Sequence, residues 1–208
     1  MSGADTITDR PLTAKGRETR RRIVEAASDL MVERGVAAVS LDEVGRVTST
    51  SKSQMYHYFM SKDELVAAVV ICVRDRILAL QSDLLVAVQS VDDFQGWADS
   101  IVAFQRRTLQ WSGCPLGTLA SELTGNSGTS QFDIHEAFES WQLLLETALR
   151  RLQELGRLRA DADPERLATA TLASLQGGLL MSKALQDETP LAVALAAAVD
   201  YLRTFASV

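Results

Sequence analysis

Few side chains in this sequence have the type and spacing that covalent chemistry needs. The two cysteines, Cys72 and Cys114, are too few for a disulfide framework. Cys72 follows the apolar run Val69-Val70-Ile71 and reads as core. Cys114 could act as a redox or electrophile sensor, a role that needs a lowered thiol pKa and exposure. Its nearest bases in the sequence are Arg106 and Arg107, so a small buried hydrophobe is the better reading. His57 and His135 lie far apart, with no cysteine or paired carboxylate beside them, and suggest no metal. Ser49-Thr50-Ser51-Lys52 has the spacing of a lysine-activated serine nucleophile but lacks the partner motifs of such enzymes. No acid, base and nucleophile come together, so neither catalytic residues nor a cofactor is expected.

What the sequence does offer is recognition by hydrogen bonding. If residues 51–59 form a helix, Met55 and Phe59 share one face and can pack inward. Lys52, Ser53, Gln54, Tyr56, His57 and Tyr58 are then left outside. Three hydrogen-bonding rings beside a lysine and a glutamine suit the major groove of B-DNA, which admits one α-helix. Gln54 could pair with adenine, and Lys52 with guanine or a phosphate. The helix N-terminus at Ser51 also favours phosphate. The plain alternative is an ordinary polar surface helix.

The elements that would hold this surface are helical. Ile23, Ala26, Ala27, Leu30 and Met31 form one apolar face of a first helix over 16–34, with Gly35 placed to end it. Three capping boxes follow, Ser40 to Glu43, Ser51 to Gln54 and Ser61 to Glu64. They predict helix starts near 41, 52 and 62. The first two helices have room for only two turns and must pack on the first one. That is the plan of a helix-turn-helix. A long helix over 62–89 leads onward. Further helices are expected from Ser90 to about Trp111, from Pro115 to Leu123, and through Phe138, Trp141, Leu145, Leu149 and Leu152 to Gly156. A polar loop over 124–131 separates the last two of these. Asp163-Pro164 and Thr189-Pro190 open the final two helices, the latter running to about Ala206. The expectation is an all-α chain of about nine helices. A flexible arm occupies 1–15, a helix-turn-helix domain 16–61 and a second domain 62–208.

Charge is arranged to match. The net charge is −6, but residues 1–65 balance ten bases against ten acids, so the excess acid lies beyond them. Within 10–22, six bases, Arg17 among them, face the single acid Glu18. This stretch is either a solvated tail or a phosphate contact. With 47% hydrophobic and 23% charged residues, the composition is that of an ordinary globular protein. Residues 1–11 lack an apolar segment, so no secretory signal is expected. No run is long enough to span a bilayer, and a reducing cytoplasm fits.

Residues 19–65 resemble the DNA-binding domain of TetR-family transcriptional repressors. The matching residues include Ile23, Ala26, Ala27, Leu30, Gly35, Val39, Ser40, Leu41, Val44, Ser51, Tyr56, Tyr58, Phe59, Lys62 and Leu65. The resemblance implies that Tyr56, Tyr58 and Lys62 touch the DNA backbone and that Ser40 meets a phosphate. Ser51, Lys52, Ser53, Gln54 and His57 would then lie at base edges. Two departures stand out. The family's Ala-Gly-Val turn is here Thr48-Ser49-Thr50, which puts Ser49 where a left-handed residue is expected, and Gly45 replaces a helix alanine. Gly45 should loosen its helix by roughly 0.5–1 kcal/mol relative to alanine.

Gly113-Cys114-Pro115-Leu116-Gly117, with Ala120, Glu122 and Leu123, is similar to the LmrA/YxaF-like branch of that family. That branch includes repressors of drug-efflux and electrophile-detoxification genes. The resemblance implies a ligand-binding and dimerisation domain. Trp97, Phe104, Trp111, Phe138 and Trp141 would then line a mostly apolar cavity, with Gln105, Glu122 and Gln176 as polar anchors and Cys114 nearby; alternatively these aromatics are plain core. Small residues on the last two helices, such as Gly177, Gly178, Ala196 and Ala197, either pack within one subunit or join two subunits through residues 164–206. The implied partners are double-stranded operator DNA, a small-molecule inducer and a second copy, with no membrane. A helical enzyme and a protein-binding scaffold are the competing readings.

Overall fold

The computed structural model describes residues 12–109, 113–123 and 129–207. Nine α-helices are found among them: α1 (Ala14–Arg34), α2 (Leu41–Val47), α3 (Lys52–Tyr58), α4 (Lys62–Ala87), α5 (Asp93–Phe104), α6 (Pro115–Leu123), α7 (Thr129–Glu154), α8 (Pro164–Leu185) and α9 (Thr189–Arg203). A π-helical turn, Gln105–Leu109, continues α5. The described residues contain no strand, only one isolated antiparallel bridge between Leu158 and Ala206.

Local chemistry accounts for most of the helix starts. Ser40, Ser51 and Ser61 each accept the N–H three residues on. Only Ser51 and Gln54 complete a reciprocal capping box. Glu43 turns instead to Arg34 at 2.6 Å, and Glu64 accepts the Met60 N–H. A partner outside the box takes each of these carboxylates, the Arg34 guanidinium in one case and the Met60 N–H in the other. Asp163 caps α8 as its sequence suggests. Thr189 does not cap α9: it is already helical, and Asp187 accepts its N–H and O–H. α7 begins at Thr129, inside the expected 124–131 loop, while 124–128 lie outside the described residues.

α1 and α4 pack around the two short helices. Ile23, Ala27, Val44, Met55, Phe59 and Leu65 are all at most 1% exposed. Burying the larger of these side chains contributes roughly 1.5–3 kcal/mol each, which holds helices too short to persist alone. The α2–α3 turn is tied from within. Thr48 Oγ1 donates to Val44 O at 2.8 Å and lies 2.9 Å from Thr50 Oγ1. Ser49 takes the left-handed conformation expected of it, at φ 53°. Gly45 is more than a weak helix former. A Cβ there would stand 3.0 Å from Thr50 O and 3.1 Å from Met55 Cγ, so its bareness lets α2 and α3 close up.

α4 carries the chain into the second layer. Its end is held by α7, where the Arg151 guanidinium donates to the Val86 and Val88 carbonyls. Cations suit helix C-termini because the last carbonyls lack partners. α8 and α9 meet at Gly178, where a Cβ would stand 2.9 Å from Leu191 Cα. Arg203 on α9 reaches Asp92 before α5 at 2.8 Å.

Candidate nucleic-acid interface and effector cavity

α3 turns one side inward and leaves the other free. Met55 is buried, while Ser51, Lys52, Ser53, Gln54, Tyr56 and His57 are exposed and Tyr58 is half-buried. The reason is the 3.6-residue period: Met55 and Phe59 take the inner stripe, and the polar set occupies the rest of the surface. Lys52 lies over the Tyr56 ring at 5.9 Å and 3.8 Å from Asp42. The His57 and Tyr58 rings meet edge to face. Gln54 Oε1 is 3.2 Å from the Ser51 N–H, so its amide nitrogen is the end left for another group.

The flanking residues are partly engaged. Ser40 is exposed and its oxygen accepts the Glu43 N–H. Lys62 Nζ donates to Ala37 O at 3.2 Å, and Arg17 folds back to Leu12 O at 2.7 Å. Ser40, Arg17 and the α3 set are surface groups, whereas Lys62 is tied to the loop before α2. α3 itself keeps a run of exposed polar side chains and is held from behind by the buried Met55 and Phe59.

A cavity of about 740 Å³ lies behind this unit. Its wall comes from α4, α5, the π-helical turn, the head of α6, α7 and α8, and also from α1 through Ser28, Asp29, Val32 and Glu33. Phe104, Gln105, Cys114 and Trp141 line it. Trp97, Glu122, Phe138 and Gln176 do not. Trp97 is buried behind Gln81, and Phe138 stacks along Trp141 at 6.5 Å. Gln176 sits beside Gly117. Glu122 faces the loop after α1 and accepts the Val36 N–H. Trp111 falls outside the described residues.

Polar and charged side chains share this wall with the apolar ones, among them Arg76, Gln81, Gln105, Arg107 and Lys183. Gln105 Nε2 donates to Gly113 O at 3.2 Å, and its Oε1 is buried without a donor. Cys114 Sγ accepts the Gly117 N–H at 3.3 Å, and burial pushes the thiol above its ordinary pKa. Lys183, distant in sequence, lines the same cavity as Cys114. Asp29 of α1 and Arg76 of α4 pair at 3.3 Å where the two helices border it.

Gln81 escaped the sequence reading. It is 8% exposed, and its Oε1 accepts from Trp97 Nε1 at 3.0 Å and Trp141 Nε1 at 3.1 Å. The available signal was a lone amide on an apolar stripe, four residues after Ile77 and four before Leu85.

An outward-facing polar helix on a supported three-helix unit, joined to a helical domain with a cavity, is the plan of a helix-turn-helix DNA-binding regulator. The comparisons agree. Residues 23–69 match the bacterial regulatory proteins of the tetR family, and residues 92–198 match the tetracyclin repressor-like C-terminal domain. The chain belongs to the tetR family of bacterial regulatory proteins. It is 26% identical over 174 residues to the HTH-type transcriptional repressor DhaR of Mycobacterium sp. (strain GP1), covering 83% of this chain and 86% of that one. It is 26% identical over 187 residues to the HTH-type transcriptional regulator YxaF of Bacillus subtilis (strain 168), covering 86% and 92%. The crystal structure of a TetR-family regulator from Cytophaga hutchinsonii superposes with a TM-score of 0.82 at 18% identity, over 95% of this chain and 99% of that one. The family and these relatives are transcriptional regulators, not enzymes. No helix among the described residues is long and apolar enough to cross a membrane.

Proposed function

We propose that this regulator is a cytoplasmic homodimeric repressor. Two copies of α3 enter successive major grooves of a palindromic operator, and an apolar or aromatic inducer in the cavity releases it. In this reading residues 16–61 hold the DNA, and 62–208 hold the inducer and the partner subunit. The observation that carries the reading is the cavity wall. Because α1 supplies four lining residues, one molecule in the cavity touches the DNA-binding unit and the second domain together. Such a molecule can favour a state in which the two recognition helices are wrongly spaced, and DNA must then oppose its binding by the same factor.

The outer face of α8 and α9 supports the dimer. Leu180, Met181 and Leu185 on α8 and Val193 on α9 are each more than half exposed, beside exposed Ala173, Gly177, Ala196 and Ala197. An apolar, small-residue face of this kind suits a twofold mate. Selection of bound sequences from random duplex DNA tests the reading. The expected product is an inverted repeat with half-sites about 34–36 Å apart or somewhat more, bound more weakly as salt rises. Enrichment of no sequence, or of a single half-site, would overturn it.

A further inference from the structure

We propose that the cavity admits a largely apolar molecule bearing a neutral hydrogen-bond acceptor of the carbonyl type, and that Gln81 Nε2 is the donor that seats it. The proposal rests on reading the cavity as the effector site and adds the chemistry of its occupant. An indole nitrogen can only donate. Two of them converge on Gln81, at 3.0 Å from Trp97 and 3.1 Å from Trp141, so the atom they meet is the amide oxygen. Both lone pairs of that oxygen are engaged, and the orientation of the amide is settled. The Nε2 end therefore presents its N–H groups on the other side, and no described residue accepts them. Gln81 and Trp141 both line the cavity.

The neighbours of Gln81 on its own helix favour a neutral acceptor at this point of the wall. One turn away on α4, Gln81 is flanked by Ile77, Leu78, Leu84 and Leu85, all apolar. An anion in this cavity could meet a cation only at Arg76, Arg107 or Lys183, of which Arg76 already pairs with Asp29; at the Gln81 N–H itself a carbonyl oxygen loses little water and satisfies the donor. An N–H held rigidly at the edge of an apolar space stabilises a ligand that meets it, because the donor is already ordered.

Benzophenone and diphenylmethane share a skeleton and differ only in carrying a carbonyl or a methylene group, so they are suitable probes. Equilibrium dialysis on the full chain without DNA should show the ketone bound about five-fold more tightly, the effect of one net neutral hydrogen bond. That preference should vanish in Gln81→Met. Should Gln81→Met unfold, the carbonyl stretch of carbon-13-labelled benzophenone on the wild type gives a second readout and should fall below its position in hexane. Equal binding of the two probes, binding of neither, a preference that survives Gln81→Met, or an unshifted stretch would each overturn the proposal. Operator affinity is measured separately. A Gln81-dependent preference with no effect on DNA would sink the inducer reading and leave this one standing.

Discussion

The carboxylate of Glu122, near the end of α6, accepts the backbone N–H of Val36 at 2.7 Å, joining the second domain to the loop between α1 and α2. The neighbouring Gly35 has φ +88°, and a Cβ there would stand 2.9 Å from Glu122 Oε1. α6 starts at Cys114 and Pro115 on the cavity wall and ends on this loop. It thus forms a second bridge between the two domains besides α4. Glu122→Ala should lower stability by about 1 kcal/mol, read as a shift of the urea midpoint. Gly35→Ala should cost about 1–3 kcal/mol through its backbone alone, because φ 88° with ψ 151° is essentially confined to glycine. Unchanged midpoints in both variants would show that the bridge contributes nothing.

Gln54 serves its own helix and faces outward. Its Oε1 accepts the Ser51 N–H, which leaves Nε2 for a base acceptor. Gln54→Ala should relax preference at one operator position, at a cost of about 1–3 kcal/mol on the preferred sequence. Equal weakening on every sequence, measured by competition binding, would remove Gln54 from the base-reading set.

Tyr56 is exposed on the same face, and its resemblance-implied partner is a phosphate. Tyr56→Phe removes only the hydroxyl. Operator affinity should fall while the ranking of operator variants stays the same. A changed ranking would refute a backbone role.

Leu180 is 69% exposed on α8 and Val193 62% exposed on α9. Leu180→Asp and Val193→Asp should convert a dimer to a monomer in sedimentation and abolish tight operator binding, because a buried unpaired carboxylate at a twofold interface is met by its own copy. A dimer that persists in both variants would place the interface elsewhere.

Burial raises the Cys114 thiol above its ordinary value of 9.0. The neutral thiol is favoured in the folded chain, so its contribution to stability is complete below that value. It declines as the pH rises above it, where the unfolded chain ionises first. The urea midpoint of the wild type should therefore fall more steeply above about pH 9 than that of Cys114→Ala. Parallel curves would mean that the thiol titrates alike in both states.

What could be read from the sequence was local. Ser40, Ser51, Ser61 and Asp163 mark helix starts because each cap bonds an amide two or three residues on. The polar outer side of α3 follows from Met55 and Phe59 alone, since a helix with two apolar residues four apart has only one inward stripe. The Ser40 and Ser61 boxes stay half-formed because Glu43 turns to Arg34 and Glu64 to the Met60 N–H, and Thr189 is not a cap because Asp187 takes its N–H.

The cavity and its chemistry were decided by the tertiary structure. Trp97 and Trp141 lie 16 and 60 positions from Gln81, and only the packing of α5 and α7 on α4 brings both indoles to one amide oxygen. The same packing moved Glu122 away from the cavity to the loop after α1 and brought Lys183 to the cavity wall. Helix caps are short-range hydrogen bonds and are therefore written in the order of residues. A cavity is the space left between helices, and its lining depends on how distant segments pack.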